Sequence, residues 1–69
     1  MSESVYKIIE LVGSSPTSWE DATASAISRA SKTIRDLRIA EVVEQDVHIE
    51  NGKVVLYRTR LKVSFKFES

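Results

Sequence analysis

The 69-residue chain has no cysteine, one histidine, two glycines and one proline, and none of its apolar runs approaches the ~20 residues needed to span a membrane. Without cysteine there is no disulfide to staple a small fold, and with His48 as the sole histidine there is no zinc site of the usual Cys/His kind. The stretch Gly13-Ser14-Ser15-Pro16 is too short and too poor in glycine for a phosphate-binding loop. Surplus charge is missing as well. Ten basic residues balance ten acidic ones, which argues against general affinity for nucleic acid. The first residues, Met1-Ser2-Glu3-Ser4, show no basic segment followed by an apolar core, so no signal peptide is expected. A soluble, cytoplasmic setting with no membrane partner is the expectation, and the absent cysteines suit a reducing compartment.

What is present reads as one α+β domain over residues 1–69, in the order β-α-β-β. Val5 to Gly13 is rich in β-branched residues and predicts a strand closed by Gly13. Ser14 to Thr17 form a loop, and Ser18 is placed as a helix N-cap with Asp21 three residues on. Glu20 and Asp21 suit the positive end of the helix dipole. Trp19, Ala22, Ala26, Ala30, Ile34 and Leu37 then recur at helical spacing, predicting an amphipathic helix of about five turns whose alanine-rich stripe lies close on a sheet.

Ile39 to Glu50 and Lys53 to Phe67 predict two further strands, joined by Asn51-Gly52, the dipeptide that best fits a type I′ hairpin turn. A two-residue turn sets Glu50 opposite Lys53, Val42 opposite Leu61, Ala40 opposite Val63, and Glu41 opposite Lys62. Alternation along the last strand puts Val55, Tyr57, Thr59, Leu61, Val63, Phe65 and Phe67 on a helix-covered face, with Arg58, Arg60, Lys62, Ser64 and Lys66 on the other. The crossover through the helix leaves room for this strand between the other two.

Strands this long overshoot the domain. Fifteen extended residues reach roughly 50 Å. The outer half of the hairpin, with Val47, Ile49, Val54, Val55, Leu56 and Tyr57, therefore projects beyond the helix, which makes sense if another subunit covers it. A 69-residue domain lacking disulfide and zinc is itself short of core, and a homo-oligomer supplies the rest.

These residues resemble the dodecins over nearly the whole chain, most specifically in VYKIIELVGSSP, AISRASKTIRDL, AEVVEQ and YRTRLKVSFKFE. The resemblance implies a β-α-β-β subunit whose three-stranded antiparallel sheet wraps one helix, in a hollow homododecamer. It also implies a store or buffer for riboflavin or related flavins, held in pairs at subunit contacts, with no catalysis. The family's flavin-stacking tryptophan lies in a Leu-x-Trp-Phe/Ala-Glu-Val segment. Here that segment is Leu37-Arg38-Ile39-Ala40-Glu41-Val42, with Ile39 in the tryptophan's place. The family's flavin-binding glutamine follows a Tyr or Trp in the last strand. Here the pair is Tyr57-Arg58. Isoleucine offers no aromatic face, where stacking is worth roughly 1–3 kcal/mol per base, and arginine has donors only. A flavin-deficient, calcium-associated branch of the family is implied.

The candidate ligand positions are therefore Ile39, Arg58 and His48, the last falling where ligand-adjacent side chains occur in dodecins. A lone histidine and the lone tryptophan, Trp19, are each more commonly packing or interface residues. Glu41, Glu44, Asp46 and Glu50 line one strand, and calcium or magnesium wants several oxygen ligands. One strand cannot wrap an ion, but copies meeting at a symmetry axis multiply each carboxylate, and Glu44 and Asp46 are the candidate metal ligands. The bland alternative pairs these acids with Arg58, Arg60 and Lys62, a row that could otherwise hold a phosphate-bearing ligand. No Ser/His/Asp grouping has useful spacing, so no enzyme is expected. The expected function is a shell that sequesters a small ligand or ion. The alternatives are a flavin store using other contacts and a scaffold that docks a protein partner.

Overall fold

Asn51 and Gly52 both adopt positive φ, 52° and 74°, and turn the chain tightly enough to set Glu50 opposite Lys53. In the computed structural model, which describes residues 4–67, they join strand β2 (Leu37–Glu50) to β3 (Lys53–Lys66). Strand β1 (Tyr6–Ser15) and helix α1 (Trp19–Ala30) precede them. The sheet order is β1-β3-β2, antiparallel throughout, so the last strand lies centrally as the crossover argument requires.

The expected register holds at both ends of the hairpin, at Ala40↔Val63, Glu41↔Lys62 and Val42↔Leu61 near the base and at Glu50↔Lys53 at the tip. Between them it slips by one. Val43 is an extra residue on β2, and Val55 is a compensating extra residue on β3. Glu44 therefore pairs with Arg60, Asp46 with Arg58 and His48 with Leu56. A third irregularity at Arg38 opens β2. The uniform alternation expected for β3 is corrected accordingly: Val55 occupies the bulge, and Val54 takes its place opposite Ile49.

Two further expectations are revised. The helix has 12 residues, not five turns, because Ser31 and Thr33 turn their hydroxyls back onto the carbonyls of Ser28 and Ala30. Such bonds compete with helix propagation. Asp36, at φ 61°, then redirects the chain into β2. Strand β1 runs through Gly13 to Ser15 instead of stopping there. Gly13 marks the close crossing of α1, where an added β-carbon would collide with the Ala22 carbonyl and the Ala26 methyl. The start of the helix is as expected: Ser18 caps it by accepting the Asp21 N–H at 3.0 Å.

The core is small. Ala22 and Ala30 of α1 meet Leu61 and Val63 of β3, with Thr59 and Ser15 buried beside them. Thr59 donates to the Trp19 carbonyl and Ser15 to the Asp21 carboxylate, so both buried hydroxyls are satisfied. The molecule extends 55 × 21 × 14 Å, with a radius of gyration of 14.4 Å. A compact domain of this length would have about 11 Å. Twelve helical residues cover roughly 18 Å of that length, over β1 and β3. Ile39, Val42, Val43, Ile49, Val54 and Val55 remain exposed along the hairpin, as do Tyr6, Ile8 and Val12 along β1 and Val5 just before it. Val47, Leu56 and Tyr57, expected to overhang, are half-buried, and Trp19 packs edge-on against Tyr57.

Candidate functional site

The sheet face opposite α1 carries the charge. By register, three rungs cross it from β1 through β3 to β2: Glu10, Lys62 and Glu41; Val12, Arg60 and Glu44; Ser14, Arg58 and Asp46. The central strand is thus a basic row, flanked on β2 by an acidic one. The bulges build this arrangement. In an unbroken register Arg58 would meet Gln45 and Arg60 would meet Val43; the one-residue slip gives each arginine a carboxylate.

Arg58 and Asp46 form the tightest pair. The guanidinium donates from Nε to Oδ1 at 2.7 Å and from its terminal nitrogen to Oδ2 at 3.0 Å, a planar two-point contact. That hydrogen bond holds the Asp46 carboxyl below its ordinary range against the opposing effect of desolvation, with the charges of Arg58 and Arg60 adding to the lowering. The same pairing raises Arg58. Arg60 approaches Glu44 more loosely at 3.4 Å, and His48 lies 3.3 Å from Glu50.

Trp19 braces the rung of Ser14, Arg58 and Asp46 from the helix side. Its indole N–H donates to the Asp46 carbonyl at 3.0 Å. Its ring meets Tyr57 edge-on, with centroids 5.1 Å apart. Tyr57 directly precedes Arg58, so one side chain fixes both strands where the ion pair forms. The packing reading of Trp19 is the one the structure supports. What the sequence did not suggest is that its polar end acts on Asp46.

Ile39, Arg58 and His48 share the uncovered face but are not brought together in one chain. Ile39 pairs with Ser64, six residues from Arg58 along β3, which is roughly 20 Å. Ile39 is 69% exposed and borders a shallow hollow of about 140 Å³ with Ile27, Leu37 and Val63. No aromatic ring lines that hollow. His48 sits near the hairpin tip beside Glu50.

The carboxylates do not assemble a cation site in one chain: among the described residues no group of three or more His, Asp or Glu is placed to hold a metal ion. Both Asp46 oxygens are taken by Arg58, whereas Glu44 is well exposed and only loosely held. A hard cation would need oxygens from neighbouring copies. The signal for the pairing was present in the sequence. Acidic residues of β2 switch from an odd position to even ones, Glu41 to Glu44, Asp46 and Glu50, across the doublet Val42-Val43, and β3 has a matching doublet at Val54-Val55.

Strand order, the single helix on one face and the long charged hairpin define a small β-α-β-β sheet protein. The chain belongs to the dodecin family, whose model matches residues 5–68. It is 49% identical over 63 residues, 91% of this chain and 89% of the relative, to the calcium dodecin of Mycobacterium tuberculosis. The crystal structure of that protein, described as a calcium-chelating antigen with a novel calcium-binding site, superposes with a TM-score of 0.83 at 47% identity, covering 93% of this chain and 91% of that one. The dodecin of Thermus thermophilus is 42% identical over 64 residues, 93% of each chain. The dodecin of Streptomyces coelicolor superposes with a TM-score of 0.94 at 38% identity, covering 100% of this chain and 99% of that one. Among the described residues no helix is long and apolar enough to cross a membrane.

Proposed function

We propose that the chain assembles into a closed homododecamer that sequesters a small ligand or ion without catalysis, and that calcium is favoured over flavin. The observation that carries the ligand preference is the state of Arg58. At the position resembling the family's flavin-binding glutamine, this chain has a guanidinium already committed on two points to Asp46. Ile39, at the position resembling the stacking tryptophan, exposes an aliphatic side chain. The greater identity to a calcium dodecin than to the Thermus dodecin supports the same preference.

The shell follows from the surface. Exposed apolar residues along both β1 and the hairpin outnumber the four buried ones, and a closed assembly covers them. Glu44 is the first candidate for an ion shared between copies; Asp46 joins it only where Arg58 lets go. Native mass spectrometry tests the assembly, with twelve copies of the 7.8 kDa chain giving about 94 kDa. Calcium should raise the melting temperature relative to a chelator control, and riboflavin fluorescence should be little quenched at low micromolar protein. A folded monomer would end the shell reading. A yellow protein with tight riboflavin binding would end the ligand reading.

A further inference from the structure

We propose that Asp46 determines the ligand specificity of the uncovered face: by clamping Arg58, and being itself anchored by the Trp19 indole, it keeps phosphate-bearing ligands off a cation that would otherwise accept them. The inference rests on the reading that this face meets the ligand. Three observations carry it. The edge of Arg58 that bonds Asp46, Nε with a terminal nitrogen, is one of the two edges on which a guanidinium makes a two-point contact with phosphate. The pair is accessible, with the Arg58 side chain 44% exposed, so the clamp and not burial withholds the cation. Arg60 and Lys62 continue the basic row on the same face of β3, giving a phosphate further positive neighbours once Asp46 is neutral.

Trp19 makes the clamp firmer than an ordinary surface ion pair, which is usually worth little because both side chains must be immobilised. Here the Asp46 backbone is held by the indole N–H at 3.0 Å, and the residue before Arg58 is held by the same ring. Part of that ordering is already in place. Asp46 and Trp19 are positioning residues: each acts through Arg58.

Riboflavin and flavin mononucleotide form a matched pair of probes, since they share a ring and differ by one phosphate. Binding of each is read from flavin fluorescence on the assembled protein. The wild type should not distinguish them. Asp46→Asn keeps the side chain's size and Asp46→Ser shortens it, and both lose the charge but retain the carbonyl that Trp19 bonds, so either variant carries the test. Each should bind the mononucleotide at least about tenfold more tightly than riboflavin, a preference that weakens with salt. Adding Arg58→Gln should abolish the preference. Trp19→Phe, which keeps a ring but loses the N–H, should show a smaller preference of the same sign. Equal binding of the two probes by both Asp46 variants would overturn the proposal, as would a preference that survives Arg58→Gln. No preference in Trp19→Phe would remove the anchoring role. Tight riboflavin binding by the wild type would instead overturn the functional reading on which the proposal rests.

Discussion

Gly13 offers the sharpest test of how α1 is seated on the sheet. Replacing it with alanine adds one methyl group at a buried point where the nearest atoms are the Ala22 carbonyl and the Ala26 β-carbon. Neither is the end of a flexible side chain, so the helix itself must move. It is held at its start by the Ser18 cap and by the Trp19 bond to Asp46, which oppose that movement. Overpacking of this kind costs about 1–3 kcal/mol. Alanine also restricts the unfolded chain, which returns roughly 0.4–1 kcal/mol only where the native site accepts it without strain. A net loss of about 1–2 kcal/mol follows, and at about 4–8 °C per kcal/mol for a domain of this size the melting temperature should fall by roughly 4–16 °C. Urea unfolding followed by Trp19 fluorescence, at one fixed subunit concentration, reads the change. An unchanged or higher midpoint would refute the close crossing and the packing argument built on it.

Gly52→Val tests a different cost, because an added β-carbon there meets nothing within 4 Å but the backbone stands at φ 74°. The penalty is conformational, at least about 1–2 kcal/mol for a β-branched residue in the left-handed region. Lower thermal stability and impaired assembly by sedimentation are expected; a variant that melts and assembles like the parent would show that the hairpin does not depend on this turn. Acid provides a third test. Because the folded state holds Asp46 below its ordinary range, the pair's contribution is present at neutral pH and is lost as pH falls through the folded value, on the acid side of about pH 4. The gap in melting temperature between wild type and Asp46→Asn should therefore close as pH is lowered, and a constant gap would show that the pairing does not set that titration.

The sequence was informative where one local signal decided the outcome. Asn51-Gly52 set the turn and thereby both ends of the register, and Ser18 set the helix start. It misled where two signals competed. Ile34 and Leu37 continue the apolar spacing of the helix, but Ser31 and Thr33 offer hydroxyls to the preceding carbonyls and end it at Ala30. Gly13 looked like a terminator because the need for its missing side chain lies in α1, nine residues and more along the chain. At the site, Ile39 and Arg58 were legible only through likeness to a family. Pairing of the β2 carboxylates with the basic row was legible from charge alone, but which carboxylate meets Arg58 was not, because a uniform register aligned Arg58 with an amide. The Val-Val doublets carried that information, as breaks in an alternation otherwise read as continuous.

The two bulges also act as a matched pair of frameshifts. An insertion in β2 at Val43 is cancelled by one in β3 at Val55, so the base and the tip of the hairpin stay in phase while the stretch between them is shifted by one. The segments bounded by the bulges, Glu44 to His48 and Leu56 to Arg60, form an interchangeable cassette whose facing pairs can be rewritten without disturbing the turn or the strand bases. A length change in one strand alone would carry the whole distal hairpin out of phase and turn its apolar side chains to the wrong face. Insertions and deletions in this hairpin should therefore be tolerated in compensating pairs. The chemistry of the uncovered face can then diverge while the framework beneath it keeps its geometry.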